Sequence, residues 1–275
     1  MRESFESVAY SVDRGVAHLL LKRPQRLNAM SQAMLVEMQA AMDLAEADAA
    51  VRALVVSGAG KAFSSGFDLK DQLDARPQGV DAWRPVLRND FEAILRFWRF
   101  PKPTIAAVRG ACLAGACELA LACDMTLASE TAVFGEPELK FGAGIVVMIL
   151  PWIVGPKLAK EIILTGADGV SAQRAYEIGM INRLVADERL ESEAFALARH
   201  LAVIDPNLMR ETKRALNRSF EIMGMGEALE AALDSDLLIE GAGSPDKVAF
   251  MEIVRNQGLR AALDWRDARF ARQPD

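Results

Sequence analysis

The chain has 275 residues, 51% hydrophobic and 25% charged, with a formal net charge of −6. That length holds one large domain or two modest ones around a sizeable core, and the composition is ordinary for a globular protein. The acidic balance, with Lys and Arg dispersed among acids, argues against a nucleic-acid surface. No apolar run is long enough to span a membrane, since Ile145–Val154 is short and contains Pro151.

Residues 7–21 read as two short strands about a turn at Asp13-Arg14-Gly15, followed by a polar loop from Lys22 to Asn28. Ser31 has the character of an N-cap, and Met34, Leu35, Met38, Met42 and Ala45 follow at helical spacing. Residues 53–57 form a buried strand, and residues 58–71 a glycine- and serine-rich loop. Residues 81–99 form an amphipathic helix that Pro101 and Pro103 stop. A strand at 104–108 leads through small residues into a helix from about Gly115 to Cys123, and the next strand starts at Met125. This alternation predicts a layered α/β core.

Beyond about residue 155 the pattern turns helical. Pro156 opens one helix and Gly166 closes it; Ser171 opens a second, ended by Gly179. A short strand or connection at 181–185 precedes helices at 187–204, 206–222, 226–240 and 245–256. The last third has more apolar surface than isolated helices need, so it packs on the core, on another subunit, or on both.

Several chemistries lack their parts. Cys112, Cys117 and Cys123 lie in an apolar stretch with no paired C-x-x-C and no histidine near, so they read as small hydrophobes rather than zinc ligands. The segment Met1–Arg14 has no signal or transit pattern, and a reducing, cytoplasmic setting is expected. The two histidines, His18 and His200, sit in strand-like and helix-like runs and read as structural, which disfavours a histidine-activated nucleophile. The densest basic stretch, Arg96, Arg99, Lys102 and Arg109, is a solvated face or a set of phosphate contacts.

Three segments carry chemistry. In Gly110-Ala-Cys-Leu-Ala-Gly115-Ala-Cys-Glu118, small residues lead into a helix N-terminus, where free N–H groups and the dipole favour an oxyanion. Glu118 either points into that region or simply complements the dipole. In Phe63-Ser-Ser-Gly66-Phe67-Asp68-Leu-Lys70, the Phe67 N–H is a second donor, unless the segment is an ordinary turn capped by Asp68. Glu138, between Phe134 and Phe141, is a carboxylate with a tuned pKa or an exposed loop acid. Two carboxylates can hold one water and exchange protons with it, as addition of water to an activated double bond requires.

In this order and spacing the segments resemble the crotonase superfamily, the enoyl-CoA hydratase/isomerase family. The markers are Arg23-Pro-x-x-x-Leu-Asn28-Ala29, Phe63-Ser-Ser-Gly-Phe-Asp68, Gly115-Ala-Cys-Glu118 with Cys123-Asp124, Phe134-Gly-x-Pro-Glu138, and Leu164-Thr-Gly166 with Ser171-Ala. The resemblance runs from about Val8 to Phe270. It implies a crotonase-type spiral of repeated β-β-α units over residues 1–200 and a helical C-terminal region, residues 201–275, that packs between subunits in a homotrimer or a dimer of trimers. It implies an acyl-CoA thioester whose carbonyl oxygen is held by the N–H groups of Phe67 and Gly115. Glu118 would activate a water, and Glu138 would exchange the proton at the α-carbon.

The CoA moiety, which arrives with the substrate so that no separate cofactor is needed, is expected to meet Arg26, Leu27, Ala29, Ser65, Asp68, Leu69, Lys70 and Arg266. At the C-terminal basic pair of the family this chain has Trp265 where lysine is usual, leaving Arg266. The activity implied is enoyl-CoA hydration. Δ3-Δ2 isomerisation and a non-catalytic acyl-CoA-binding or RNA-binding relative are the other readings; the glutamate pair opposes the former of these last two and the charge the latter. Ile145–Leu150, more apolar than the corresponding family segment, predicts either an apolar acyl group or plain helix packing.

Overall fold

The computed structural model describes residues 5–271. Residues 1–4 of the N-terminal segment and 272–275 of the C-terminal region lie outside the described residues. Strands β1 (Val8–Asp13) and β2 (Val16–Leu21) form an antiparallel hairpin that turns at Arg14 and Gly15, both with positive φ. Helix α1 (Gln32–Ala47) starts where Ser31 Oγ accepts the Met34 N–H at 3.2 Å, and its Met34–Leu35–Met38–Met42–Ala45 face is buried.

Strand β3 (Ala53–Gly58) is followed by α2 (Leu69–Ala75) and α3 (Gly79–Arg99). The loop expected through residue 71 is therefore cut short by α2. No residue of α2 is buried, so the helix leaves no apolar period to read. Then come β4 (Thr104–Val108), β5 (Ala111–Leu113), α4 (Gly115–Ala122), β6 (Met125–Ser129), β7 (Val133–Gly135), α5 (Leu150–Val154) and α6 (Pro156–Leu164). The chain closes with β8 (Val170–Ser171), α7 (Ala172–Glu177), β9 (Arg183–Val185) and α8 (Leu190–Ala202). Four more helices follow: α9 (Pro206–Ile222), α10 (Met225–Ala242), α11 (Pro245–Gln257) and α12 (Leu259–Phe270). Strands β5 and β7 and helix α12 were not foreseen.

Six strands form one sheet in the order β1-β2-β3-β4-β6-β9, parallel from β2 onward. A smaller sheet runs β5-β7-β8, and the parallel bridges Met30↔Phe67 and Ser64↔Cys112 carry its ladder back to earlier parts of the chain. Successive stretches thus lay one strand in the large sheet, a short extended piece in the small layer, and a helix. This is a spiral of β-β-α units. Strands β3 and β4 are buried along almost their whole length, as parallel strands covered on both faces must be. One core lies on the side of α1, α3 and α4; the other packs Val55, Ile105 and Leu127 against Leu190, Ala194 and Ala198 of α8.

The basic stretch is structural. Arg96 pairs with Asp43 and Glu46, Arg99 with Glu92, and Arg109 with Asp187, while Lys102 Nζ donates to the carbonyls of Ala45, Glu46 and Asp48. The helical region is tied to the sheet by Lys213 of α9, whose Nζ lies 2.7 Å from Asp124 Oδ2. Asp124 also accepts the Thr104 N–H at 2.7 Å and the Thr104 hydroxyl at 3.0 Å. Burial pulls the Lys213 pKa down and pushes the Asp124 pKa up, and the pairing opposes both. Lys213→Ala would strand a buried carboxylate and should destabilise the fold by about 3–5 kcal/mol. The Lys213→Met/Asp124→Asn double variant should regain most of that loss, as urea-denaturation midpoints of the three proteins would report.

Candidate active site

Two tight turns meet at the centre of the small layer. Ala114, at φ 56°, bends the chain from β5 into α4, a helix buried along all of its residues because Gly115, Ala116, Ala120 and Ala122 are small. Gly66, at φ +91°, bends the chain ahead of Phe67. A Cβ on Gly66 would fall 2.7 Å from Ala114 Cβ and 2.8 Å from the Leu113 carbonyl oxygen, and one on Gly115 would fall 2.3 Å from the Phe67 ring. Only glycine permits this approach. The Gly66 segment is pinned by Met30 N–H donating to the Gly66 carbonyl and Asp68 N–H donating to the Met30 carbonyl, both at 2.9 Å. The backbone hydrogen bonds among the described residues leave the N–H groups of Phe67 and Gly115 free. That of Gly115 belongs to the positive end of α4.

Beside these donors lie three glutamates. Glu118 is in the first turn of α4, Glu136 follows β7, and Glu138 opens a 3₁₀ turn after Pro137. All three are buried, one carboxyl oxygen of each lies within 4.8 Å of those of the other two, and Oε2 of each has no hydrogen-bond partner. Burial raises all three pKa values. For Glu118 and Glu136, repulsion from Glu138 adds to the shift, and the Val147 N–H opposes it at Glu118. Glu138 is pushed up to about 8 by burial, with a smaller push from Asp236. Glu136 sits beside the buried, free Cys117 thiol. The three oxygens are close enough to ligate one hard cation, but each carboxyl would first have to release its proton.

A cavity of about 880 Å³ opens onto this cluster, and Phe67 and Glu138 line it. Gly115 abuts the Phe67 ring, and Glu118 lies within reach of Glu138, but neither is part of the lining. Arg26, Leu27, Ala29, Ser65, Asp68, Leu69, Lys70 and Arg266 all face the cavity. Leu27 and Asn28 both have positive φ, held by Asn28 Nδ2 donating to the Ala59 and Ala62 carbonyls at 2.9 and 2.8 Å.

Two of these side chains are already engaged. Asp68 accepts the Lys70 N–H, capping α2, and takes an ion pair from Arg23 at 2.8 Å. It orders the loop instead of offering a free carboxylate. Arg266 pairs with Asp168 at 3.0 Å and with Asp267, while Trp265 joins Phe250 and Phe141 in a small aromatic cluster.

Within Ile145–Leu150 only Val146 lines the cavity; Ile145, Val147, Ile149 and Leu150 are buried in the core. Most of that segment is core packing ahead of α5. The cavity lining is largely apolar, with Phe67, Leu87, Leu113 and Val146 among its residues, and set into it are Asp90 and Asp236, which burial lifts to about 7 each, and Glu240, paired with Lys247. Glu136, Asp90 and Asp236 were missed in the sequence. A signal existed for two of them. Asp90 shares the buried face of α3 with Leu87, Phe91 and Ile94, and Asp236 that of α10 with Leu229, Leu233 and Leu237, where an acid is out of place. His18 Nε2 lies 2.8 Å from Ser57 Oγ, with its ring edge-on to Phe195, beside a separate smaller cavity. Among the described residues no helix is long and apolar enough to cross a membrane.

The sequence profile of the enoyl-CoA hydratase/isomerase family matches residues 11–240. The chain belongs to that family. A crystal structure of an enoyl-CoA hydratase/isomerase from Xanthobacter autotrophicus superimposes with a TM-score of 0.97 at 66% identity, over 98% of this chain and 100% of that one. A candidate enoyl-CoA hydratase of Thermus thermophilus is 35% identical over 94% of this chain and 99% of its own. A crotonyl-CoA hydratase of Syntrophomonas wolfei is 30% identical over 97% and 98%. The spiral is therefore the crotonase fold of this family.

The raised carboxyl pKa values have a consequence for stability. Between about pH 4.5 and 8 the folded enzyme keeps a proton on Glu138 that the unfolded chain releases, so stability falls as pH rises through that window. Asp90 and Asp236 add the same sign between about 3.8 and 7. Urea midpoints should decline from pH 5 to pH 8, and Glu138→Gln should make that decline shallower.

Proposed function

We propose that this protein is an enoyl-CoA hydratase, a hydro-lyase that adds water across a 2-enoyl-CoA to give the 3-hydroxyacyl-CoA. The observation that carries the reading is the placement of Glu118 and Glu138, with oxygens within 4.8 Å of each other, beside two free N–H groups. One water bonded to both at ordinary lengths of about 2.7–2.8 Å bridges oxygens roughly 4.5 Å apart.

Binding places the thioester carbonyl oxygen on the N–H groups of Phe67 and Gly115. As hydroxide character adds at the β-carbon, electrons move to that oxygen and an enolate develops, and each fixed donor stabilises it by about 3–4 kcal/mol. Glu118, ionised, takes a proton from the water whose oxygen bonds to the β-carbon. Glu138, protonated, gives its proton to the α-carbon. The enolate collapses to the thioester, and the proton gained by Glu118 returns to Glu138 across their short separation. No electrons change hands, so the reaction calls for no redox cofactor, and CoA enters with the substrate. Arg26 and Lys70 supply positive charge for its phosphates, Arg266 lines the same cavity with its charge matched by Asp168 and Asp267, and Leu27, Ala29, Ser65 and Leu69 supply shape. The exposed Val203, Leu208, Leu216, Ile222 and Met223 of the helical region support burial between copies in a homotrimer or a dimer of trimers.

One observation favours a second reading, Δ3-Δ2 enoyl-CoA isomerisation. Of the pair, Glu138 alone lines the cavity, and a single acid–base group suffices to move a proton between two carbons of a bound dienolate. The two readings separate by substitution. Glu138→Gln should lower both activities by a factor of about 10²–10⁴ or more, and Glu118→Gln should lower hydration by about as much while sparing isomerisation. The checks are loss of the conjugated enoyl-thioester absorbance with 2-enoyl-CoAs and its appearance with 3-enoyl-CoAs. Hydration that survives in Glu118→Gln would sink the role given to that residue. Gly66→Ala, which pushes the two turns apart, should cost about 10²–10³ in kcat on either substrate with the circular dichroism spectrum unchanged.

A further inference from the structure

The wall that α3 and α10 contribute to the largely apolar cavity carries, beside Leu87, three acids: Asp90, Asp236 and Glu240. Asp236 of α10 is 2% exposed, lines the cavity, and has an Oδ1 with no hydrogen-bond partner. Gly144 makes room for it, since a Cβ there would fall 1.9 Å from Asp236 Oδ1. Asp90 of α3, 1% exposed, also lines the cavity and takes one hydrogen bond, from Gln32 Nε2 at 2.6 Å. The Asp90 charge acts on Asp236, both act on Glu118, and Asp90 itself feels Asp71. Asp90 and Asp236 are both buried, and both line the cavity that Glu138 lines. Glu240 differs, because its charge is matched by Lys247, whose Nζ also stands 4.6 Å from the Trp83 ring centre. Among the described residues neither Asp236 nor Asp90 forms an ion pair, and Asp236 feels Lys247 only as a neighbouring charge.

A saturated hydrocarbon laid against this wall would leave a buried carboxyl oxygen without a partner, and sites of that kind discriminate against substrates lacking the matching group. An acyl group ending in a carboxylate would add a charge beside Asp90, Asp236 and Glu240, where the one nearby cation, Lys247, is already paired with Glu240. A hydroxyl fits, since it donates to the Asp236 carboxyl and brings no charge. We propose that the acyl group accepted here carries a hydroxyl beyond the reacting double bond, on a chain or a ring, and that Asp236, assisted by Asp90, receives its hydrogen bond. The assignment rests on the reading of the cavity as an enoyl-thioester site, and it makes Asp236 a specificity residue with no part in the bond changes.

The test compares matched pairs of 2-enoyl-CoAs differing only in the hydroxyl: 2-hexenoyl against 6-hydroxy-2-hexenoyl, and cinnamoyl against 4-hydroxycinnamoyl. Calorimetric binding of the corresponding saturated acyl-CoAs runs beside it. For wild type, kcat/KM should favour the hydroxylated member of at least one pair by about ten- to a hundredfold, carried mainly in KM. Asp236→Asn, which keeps an acceptor oxygen, should retain the preference. Asp236→Leu should reverse it, gaining on the plain chain while losing on the hydroxylated one. A general structural defect would lower both members alike, and that result overturns the proposal. Equal kcat/KM for both members of every pair in wild type overturns it too. If no 2-enoyl-CoA is turned over, the hydratase reading fails, and calorimetry decides separately: tighter binding of a hydroxylated saturated thioester, lost in Asp236→Leu, upholds the Asp236 assignment, and equal binding of all pairs ends it.

Discussion

The rest of the site depends on the confinement of three carboxyl groups in one dry pocket. Two unit charges 4.8 Å apart, the outer bound on the oxygens of Glu118, Glu136 and Glu138, repel by roughly 3 kcal/mol at an effective dielectric constant of ~20. Desolvation adds to that for each charge. The cluster therefore holds one negative charge at most near neutrality, and the other carboxyls keep their protons. This is the condition that water addition sets: a base and an acid, both carboxyls, ready at the same pH. At Glu118 two features oppose the upward shift. Glu118 lies in the first turn of α4, where the dipole favours an anion, and faces the Val147 N–H.

The fold meets this demand with backbone rather than side chains. The N–H of Phe67 and that of Gly115 come from chain segments far apart in sequence, brought together because the small layer pairs Ser64 with Cys112 and Met30 with Phe67. Their approach is limited by Gly66 and by the strained φ of Ala114, conformations that cost of order 1–3 kcal/mol when a residue with a side chain adopts them. Donors fixed in this way need no reorganisation when charge develops, which is what makes them effective toward an enolate.

How much of this was legible varied with how local each signal is. Helix α1 announced itself through Ser31 and its Met-rich face, and the strands of the large sheet through unbroken apolar runs. Strands β5 and β7, three residues each, are too short to show a period, so the small layer that positions the donors was invisible except through the family pattern. Helix α12 buries only Ala262 and Arg266 and so presents no stripe. Glu118 and Glu138 stood out by their glycine-marked segments. Glu136 falls at the open position of Phe134-Gly-x-Pro-Glu138, and nothing in Gly135-Glu136-Pro137 tells which way the side chain turns. Asp90 and Asp236 were hidden among the many acids of two long helices, although their register on the apolar face marks them.

These differences divide the cavity by origin. The parts proposed to react come from the Gly66–Phe67 turn, α4 and the turn after β7, whose positions are set by sheet register and by glycine contacts between main chains. The opposite wall comes from side chains of α3 and α10, two helices packed together and joined by the Arg88–Glu230 pair, with both N–H···O contacts at 2.8 Å. A change of residue on that wall alters what the acyl group meets without moving a donor or a glutamate. A change in the turns moves the donors whatever the acyl group. On the proposed reading, acyl selectivity and thioester activation are thus physically separable in this chain. The buried acids of α3 and α10 belong to the first property, and their proximity to Glu118 and Glu138 links the two only through charge, since each additional carboxylate nearby holds the glutamates further toward their protonated forms.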